Sequence, residues 1–237
     1  SNFSDIYSKN ISDNPKGFSG MGVINNSPRK QMFQGPLKQT DGALDLAVSG
    51  LGFLTLASQN DSQNRFYTRD GSLGLSENGD VINQQGLNLL AHPVLDDSTY
   101  NPAIFEKVTI APNITDALGN KRILTNVNVS SSGVLKAIYG LDEEVVIAKI
   151  PLTSFENMES LQSEGNNLFK PTTKSGEPIV GIALEKNMGE IIPGFLEGSN
   201  VEITDELVKM LKYQQAYSGN SKLLQTEIDI TKRLIDR

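Results

Sequence analysis

Residues 199–237 read SNVEITDELVKMLKYQQAYSGNSKLLQTEIDITKRLIDR and carry a heptad repeat. Selected positions recur in alternating steps of four and three, which is the period of about 3.5 residues expected of a helix that lies along another helix. We call these positions the assembly seam: Ile203, Leu207, Met210, Gln214, Tyr217, Ser221, Leu224, Ile228, Thr231 and Ile235. The repeat predicts a C-terminal helix of roughly 50 Å, able to form a coiled coil.

Both ends of this helix carry local signals. Ser199 and Glu202 have capping-box spacing, in which each side chain accepts the backbone N–H of the other residue. Acidic residues near the start and basic residues near the end suit the helix dipole; they are Asp205, Glu206, Lys232, Arg233 and Arg237. We therefore expect an assembly helix over 199–237.

The seam is partly polar, since Gln214, Ser221 and Thr231 interrupt it. Gly219 also costs the helix about 1 kcal/mol relative to alanine. Such a helix needs a partner, which is either its own globular domain or a helix outside that domain. Its length, its terminal position and its strict period favour an assembly helix. No earlier stretch offers a matching repeat, so we expect the partner to come from another copy, another protein or a segment upstream of Ser1.

Composition narrows the class of protein. The chain has 237 residues, of which 38% are hydrophobic, enough for one large or two modest domains. No apolar run approaches the ~20 residues of a membrane helix, so we expect no membrane insertion. The net charge of -7 argues against nucleic acid as a partner. Cysteine is absent, which excludes disulfides and thiolate metal sites and suits a protein outside the cytoplasm.

The rest of the chain predicts a mainly β fold. Residues 1–38 are rich in Ser, Asn, Gly and Pro and indicate an extended or irregular segment preceded by further chain. Residues 39–198 predict a β-rich domain, with a loop and a sub-boundary near 93–102. Asn78-Gly79 favours a tight hairpin turn with positive φ angles, and residues 154–161 favour one short helix. The expected core contains Leu46, Val48, Phe53, Val81, Ile110 and Val146.

The search for catalytic, cofactor-binding and metal-binding residues finds none. His92 is the single histidine, and without a second His or Cys nearby in the sequence it favours a structural role. The adjacent acids at 96–97 and 143–144 point to opposite faces of a strand, which is the wrong geometry for paired catalytic carboxylates. Gly50-Leu51-Gly52 lacks the third glycine of a dinucleotide loop. We therefore expect no enzyme activity, no cofactor and no metal.

Two groups of motifs in the chain resemble a known family. The first group comprises residues 44–53 (LDLAVSGLGF) and 67–72 (YTRDGS), and the second comprises 194–201 (GFLEGSNV) with 214–217 (QQAY). Together, in this order, they resemble the bacterial flagellar rod and hook proteins. The residues that carry the motifs are Asp45, Gly50, Gly52, Phe53, Tyr67, Thr68, Arg69, Gly71, Glu197, Ser199, Asn200 and Val201. Leu54 and Gln215 depart from the usual pattern, and we expect them to lie in the core and on the helix surface.

The resemblance implies a fold and a function. It implies a compact β domain of the rod and hook type outside an inner tube, in which the C-terminal helix pairs with an N-terminal helix of the same or a neighbouring subunit. It also implies copies of itself and other rod or hook proteins as partners, and export through the flagellar type III channel to an extracytoplasmic basal body or hook.

Three interpretations follow. Residues 67–72 resemble the rod more than the hook, so the leading one is a rod subunit that polymerises into a helical tube and transmits torque from motor to hook. The first alternative is a hook or hook-like subunit acting as a flexible joint. The second is a ligand-binding β domain with an oligomerising tail. This last interpretation needs a convergent polar site, which the sequence does not offer.

Overall fold

The fold is mostly β with one long C-terminal helix, which confirms the predicted class. The computed structural model describes residues 3–7, 20–25, 32–59, 61–96, 99–102, 104–115, 121–140, 143–185 and 187–236. No helix in these residues has the length and apolar character needed to cross a lipid bilayer.

The elements are numbered in chain order. Strands β1 to β7 span Phe3–Tyr7, Gly20–Asn25, Leu37–Gln39, Leu46–Ser49, Leu54–Ser58, Asp61–Thr68 and Leu73–Leu75. Strands β8 to β14 span Val81–Asn83, Asn88–Asp96, Thr99–Tyr100, Glu106–Lys107, Asn113–Thr115, Lys121–Val129 and Val134–Tyr139. Strands β15 to β21 span Glu143–Lys149, Pro151–Ser154, Gln162–Gly165, Leu168–Lys170, Ile179–Ile182, Glu190–Pro193 and Phe195–Glu197. A 3-10 helix spans Met158–Ser160, and the α-helix, α1, spans Ile203–Ile235.

One antiparallel sheet forms most of the domain. Its strands lie in the order β12-β13-β14-β15-β9-β5-β6-β18-β17, with β8, β10 and β11 also paired to β9 and β7 paired to β8. Three further pairs are β16–β19, β20–β4 and β21–β3, and the last two join early strands to late ones. The N-terminal strands β1 and β2 pair with each other inside the segment predicted as extended or irregular.

The hairpin between β7 and β8 lies where the sequence predicts it. The Gly79 N–H donates to the Ser76 carbonyl at 2.8 Å, and the Ser76 N–H donates to the Asp80 carbonyl at 2.8 Å. Gly79 has a φ of 82°, but Asn78 is not among the residues with positive φ. The turn is therefore of the longer kind that ends with one left-handed glycine, rather than the two-residue turn in which both central residues have positive φ.

Buried apolar side chains form two clusters. The larger one lies against the main sheet and includes Leu46, Val48, Val81 and Ile110, as predicted. The smaller one contains Phe53, Tyr67, Phe155 and Leu161. The prediction that Val146 lies in the core is wrong: this residue is only half-buried and pairs with Lys136 across a register shift between β14 and β15. The shift places Val146 on the face that carries Lys136.

The predicted loop and sub-boundary at 93–102 is wrong. Residues 88–96 form β9, which pairs with β5 on one side and β15 on the other, so a single sheet runs through this region. Pro93 has no N–H to donate to a neighbouring strand, but its carbonyl accepts the Asn101 N–H at 3.3 Å. Of the predicted helix at 154–161, only the 3-10 turn Met158–Ser160 is present. Ser154 instead belongs to β16.

His92 lies inside the domain, where it joins β9 to the chain after β10. Its side chain is buried, and its Nδ1 lies 2.7 Å from the Ile104 carbonyl oxygen. The ring stacks on Tyr100 at a centroid distance of 6.0 Å and lies 4.7 Å from Phe105. Arg65 and Lys149 lie over the Phe105 and Tyr100 rings. These contacts account for the buried position of His92 without a metal or a catalytic role.

We expect His92 to make stability depend on pH. Burial lowers the pKa of His92 below its usual value, and the Ile104 carbonyl opposes this only partly. As pH falls below about 6.5, the unfolded chain takes up a proton that the folded chain resists, so the free energy of unfolding decreases until the folded pKa is passed. Melting measured between about pH 8 and 5 will show this loss. Since His92 is the single histidine, His92→Phe will flatten the curve; an unchanged slope will contradict the assignment.

Candidate assembly surface

The terminal helix starts later than predicted. Glu202, in an extended conformation, is its N-cap, and no side chain caps the first turn. The Ser199 hydroxyl instead accepts the Val201 N–H at 3.2 Å. The predicted capping box is therefore wrong, because Ser199 lies too far upstream to reach the N–H groups of the first turn. These groups are exposed and open to water, which satisfies them in place of a cap.

The assembly seam lies on a helix surface that is open along its whole length. None of the residues in Ile203–Ile235 is buried. The apolar seam residues Leu207, Met210, Leu224 and Ile228 have exposed fractions of 48%, 49%, 60% and 53%. The interpretation that the helix packs on its own domain is therefore wrong for the described residues. An apolar surface of this length is typical of an interaction site.

Apolar side chains also lie outside the seam. In the second half of α1, Leu223, Ile230 and Leu234 are exposed by 60% or more. They lie about 80° or more from Leu224 and Ile228 when residues are placed about 100° apart around the helix. The seam therefore accounts for only part of the apolar surface of α1, a feature that the heptad pattern did not predict.

The family-motif residues Arg69 and Glu197 meet just before the helix. Arg69 Nε donates to Glu197 Oε2 at 2.8 Å, and its Nη1 and Nη2 donate to the carbonyls of Gly50 and Val48 at 3.0 and 3.1 Å. Glu197 Oε1 accepts the Gly35 N–H at 2.8 Å. We call these five residues, Gly35, Val48, Gly50, Arg69 and Glu197, the Arg69 clamp.

The incoming and outgoing chains run side by side at this point. Strands β3 and β21 pair antiparallel, and the Gly198 N–H donates to the Pro36 carbonyl at 2.8 Å. Asn200 Nδ2 donates to the Phe33 carbonyl at 2.8 Å. Val201 follows with about half of its surface exposed. The segment from Phe33 to Gln39 is thereby bound along the chain that leads into α1.

The remaining motif residues have structural positions. Phe53 and Tyr67 belong to the smaller core cluster. Thr68 Oγ1 donates to the Asn167 carbonyl at 2.9 Å, and the Asp45 carbonyl accepts the Gly194 N–H at 2.8 Å. Gly50 and Gly52 have φ angles of 102° and 138°, which residues other than glycine rarely adopt. Gly50 and Gly52 form the turn after β4, and the clamp residues Val48 and Gly50 lie at this turn.

Gly71 is buried against β4, and a Cβ at this position would collide with the Leu46 carbonyl oxygen. We expect Gly71→Ala to destabilise the domain by about 1–3 kcal/mol, the range for overpacking, since backbone must move to make room. Gly74→Ala, where a Cβ would meet nothing within 4 Å, is the matched control and should leave stability nearly unchanged. Urea denaturation measures both. Equal stability of the two variants will contradict the close packing of Gly71.

The acidic pairs have ordinary roles. Glu143 and Glu144 form ion pairs with Arg122 and Lys136 at 3.0 Å each; Asp97 lies outside the described residues. Within those residues no group of three metal-ligating side chains occurs. A polar depression lined by Thr68, Asp70, Ser72, Asn83, Gln84, Gln85 and Asn166 has no interior space for a water molecule. It therefore gives no support to a ligand-binding β domain.

Comparison with known proteins agrees with the order of the motifs. Residues 47–137 match the model "Flagellar hook protein FlgE/F/G D1 domain", and residues 192–237 match "Flagellar basal body rod FlgEFG protein C-terminal". Flagellar basal-body rod protein FlgG of Buchnera aphidicola subsp. Schizaphis graminum is 32% identical over 222 residues, which cover 93% of this chain and 75% of the relative. The chain belongs to the flagellar rod and hook protein family.

Within the family the chain is most like the rod proteins. FlgG of Buchnera aphidicola subsp. Acyrthosiphon pisum is 31% identical over the same share of both chains. Flagellar hook protein FlgE of Salmonella typhimurium is 33% identical, but over 113 residues that cover 48% of this chain and 28% of the hook protein. The departures from the family pattern lie as expected, with Leu54 fully buried and Gln215 exposed on α1.

Proposed function

We propose that this protein is a structural subunit of the flagellar basal-body rod that polymerises into a helical tube and transmits torque from motor to hook. The observation that carries this proposal is the open apolar seam of α1 beside a β domain that already has a buried core. A domain that is stable by itself leaves the seam free to bind other subunits. The similarity to rod proteins over most of the chain supports the same function.

Polymerisation follows from the geometry of such a contact. A helix face that binds a different surface on the next subunit makes a heterologous contact, and where the rotation between subunits does not close a ring, repetition gives a tube or filament. The proposed partners are copies of this chain, other rod or hook proteins, and an N-terminal helix of the same or a neighbouring subunit. Three polar residues of the seam would restrict the register of packing, as polar seam positions do in coiled coils. They are Gln214, Ser221 and Thr231.

The proposed role is mechanical and not enzymatic. The only histidine is enclosed by Tyr100 and Phe105, and the Arg69–Glu197 pair is fully engaged with backbone groups. The protein would reach the basal body outside the cytoplasm through the flagellar type III channel. A hook-like flexible joint is the second candidate, supported by the similarity to a hook protein over 113 residues.

Maleimide accessibility tests the seam directly, because the chain has no cysteine of its own. Leu224→Cys should react as a monomer and become protected in isolated basal bodies. Gln215→Cys, on the same helix but outside the seam, is the control for access of the reagent and should be less protected. Equal reactivity of Leu224→Cys before and after assembly will contradict a buried seam.

A further inference from the structure

We propose that the Arg69 clamp fixes the direction in which the terminal helix leaves the β domain, with Arg69 as the positioning residue. The clamp joins three separate parts of the chain: the β4 turn through Val48 and Gly50, the incoming segment through Gly35, and the outgoing strand β21 through Glu197. Glu197 lies shortly before the start of α1 in the chain, and the other residues of the clamp contact it directly or through Arg69. This inference adds a mechanical coupling to the proposed rod function.

The chemistry of Arg69 suits this task. The guanidinium offers several N–H donors in a rigid plane, so it can bind a carboxylate and two carbonyls at once, whereas a lysine ammonium concentrates its charge on a flexible stem. The two side chains are only 15% and 12% exposed. Water therefore competes weakly for their hydrogen bonds, and the pair is better ordered than a surface ion pair.

The remaining contacts explain why the direction of the helix depends on the clamp. Between Glu197 and the first helical residue, the chain is held by the Gly198 N–H on Pro36 and by Asn200 on Phe33. Both acceptors lie on the incoming segment, whose own attachments include Glu197 at Gly35 and the Gly50 N–H at Gln34. If Arg69 no longer orients Glu197, the incoming and outgoing chains lose one of their supports on the domain, while the Gly50 N–H bond to Gln34 and the pairing of β20 with β4 remain.

Amide hydrogen exchange of the full-length monomer by NMR tests the clamp. In Arg69→Gln, the Gly35 and Gly198 amides should exchange at least about tenfold faster, because local opening becomes easier. The Phe53 and Val81 amides, which donate to the Thr153 and Val108 carbonyls at 2.8 and 2.9 Å, should change far less. Arg69→Lys should behave more like Arg69→Gln than like the natural chain, since charge alone does not replace the planar donor set.

Arg122→Gln is the matched control, because Arg122 forms an ion pair with Glu143. The side chains of Arg122 and Glu143 are 37% and 39% exposed. This substitution should leave the Gly35 and Gly198 amides unchanged. The proposal is overturned if these amides do not respond to Arg69→Gln, if Phe53 and Val81 accelerate equally, or if Arg122→Gln has the same effect. The monomer contains no assembled seam. A negative result therefore overturns the clamp proposal and does not bear on the rod proposal.

A distance measurement reports the direction itself. Spin labels on Glu77→Cys, in the exposed β7–β8 turn, and on Lys222→Cys, an exposed position well inside α1, are the only labelled sites because the chain lacks cysteine. The natural Arg69 should give a narrow distance distribution, and Arg69→Gln a broadened one. An equally narrow distribution in both will contradict a positioning role for Arg69.

Discussion

Replacing Leu224 and Ile228 together with Asp should leave the melting temperature of the monomer unchanged and prevent entry into the flagellum. Both side chains are more than half exposed on α1, so the monomer loses no buried contact. In the proposed tube the new carboxylates would face an apolar partner. Each would cost several kcal/mol in order of magnitude where it is left buried and unpaired.

Melting and motility are measured on the same variants. Gln215→Asp with Thr226→Asp, which also adds two negative charges on α1 but outside the seam, is the control for added charge and should be better tolerated. A monomer of the Leu224/Ile228 variant that melts far below the natural protein would mean that the helix packs on its own domain. Normal motility of that variant would mean that the seam is not an assembly contact.

Phe53→Ala should give the reverse pattern, with a large loss of stability. Phe53 is fully buried, and its ring contacts Phe155 and Phe169 edge-on at centroid distances of 6.1 and 5.9 Å. Removing the ring leaves a cavity in the smaller core cluster, and such a change typically costs about 3–5 kcal/mol. Urea denaturation of the monomer will measure the loss directly.

Leu51→Ala is the control for Phe53→Ala. It removes a side chain from the same turn, but Leu51 is about half exposed, so the change should remain near 0.5 kcal/mol or less. If Phe53→Ala is no more destabilising than Leu51→Ala, the smaller cluster does not contribute to the core. In cells, any defect of Phe53→Ala should follow its lowered stability rather than a specific failure of the seam.

Local patterns made the helix and several strands predictable. The 3.5-residue repeat survives as one continuous helix, because helix formation depends on neighbours in the sequence. The turn at Gly79 was predictable for the same reason. The first turn of α1 was not, since Ser199 and Glu202 have the right spacing while the chain between them remains extended, held by Asn200 on Phe33.

Contacts between distant residues were beyond local patterns. Arg69 and Glu197 are separated by 128 positions, and nothing near either residue indicates the other; their membership of the family motifs was the only signal. Gly35 and Gln34 gave no signal at all. Val146 was predicted to lie in the core, but the register shift between β14 and β15 reverses which face it occupies.

The central claim is that this chain is a rod subunit whose terminal helix lies in the inner tube. A density map of the assembled appendage tests it most directly, because the β domain and α1 can be fitted as separate shapes. The rod proposal predicts that the subunit lies below the rod–hook junction, with Leu224 and Ile228 of α1 packed against neighbouring helices. A subunit found above the junction, or with α1 on the outer surface and its seam in solvent, will contradict it.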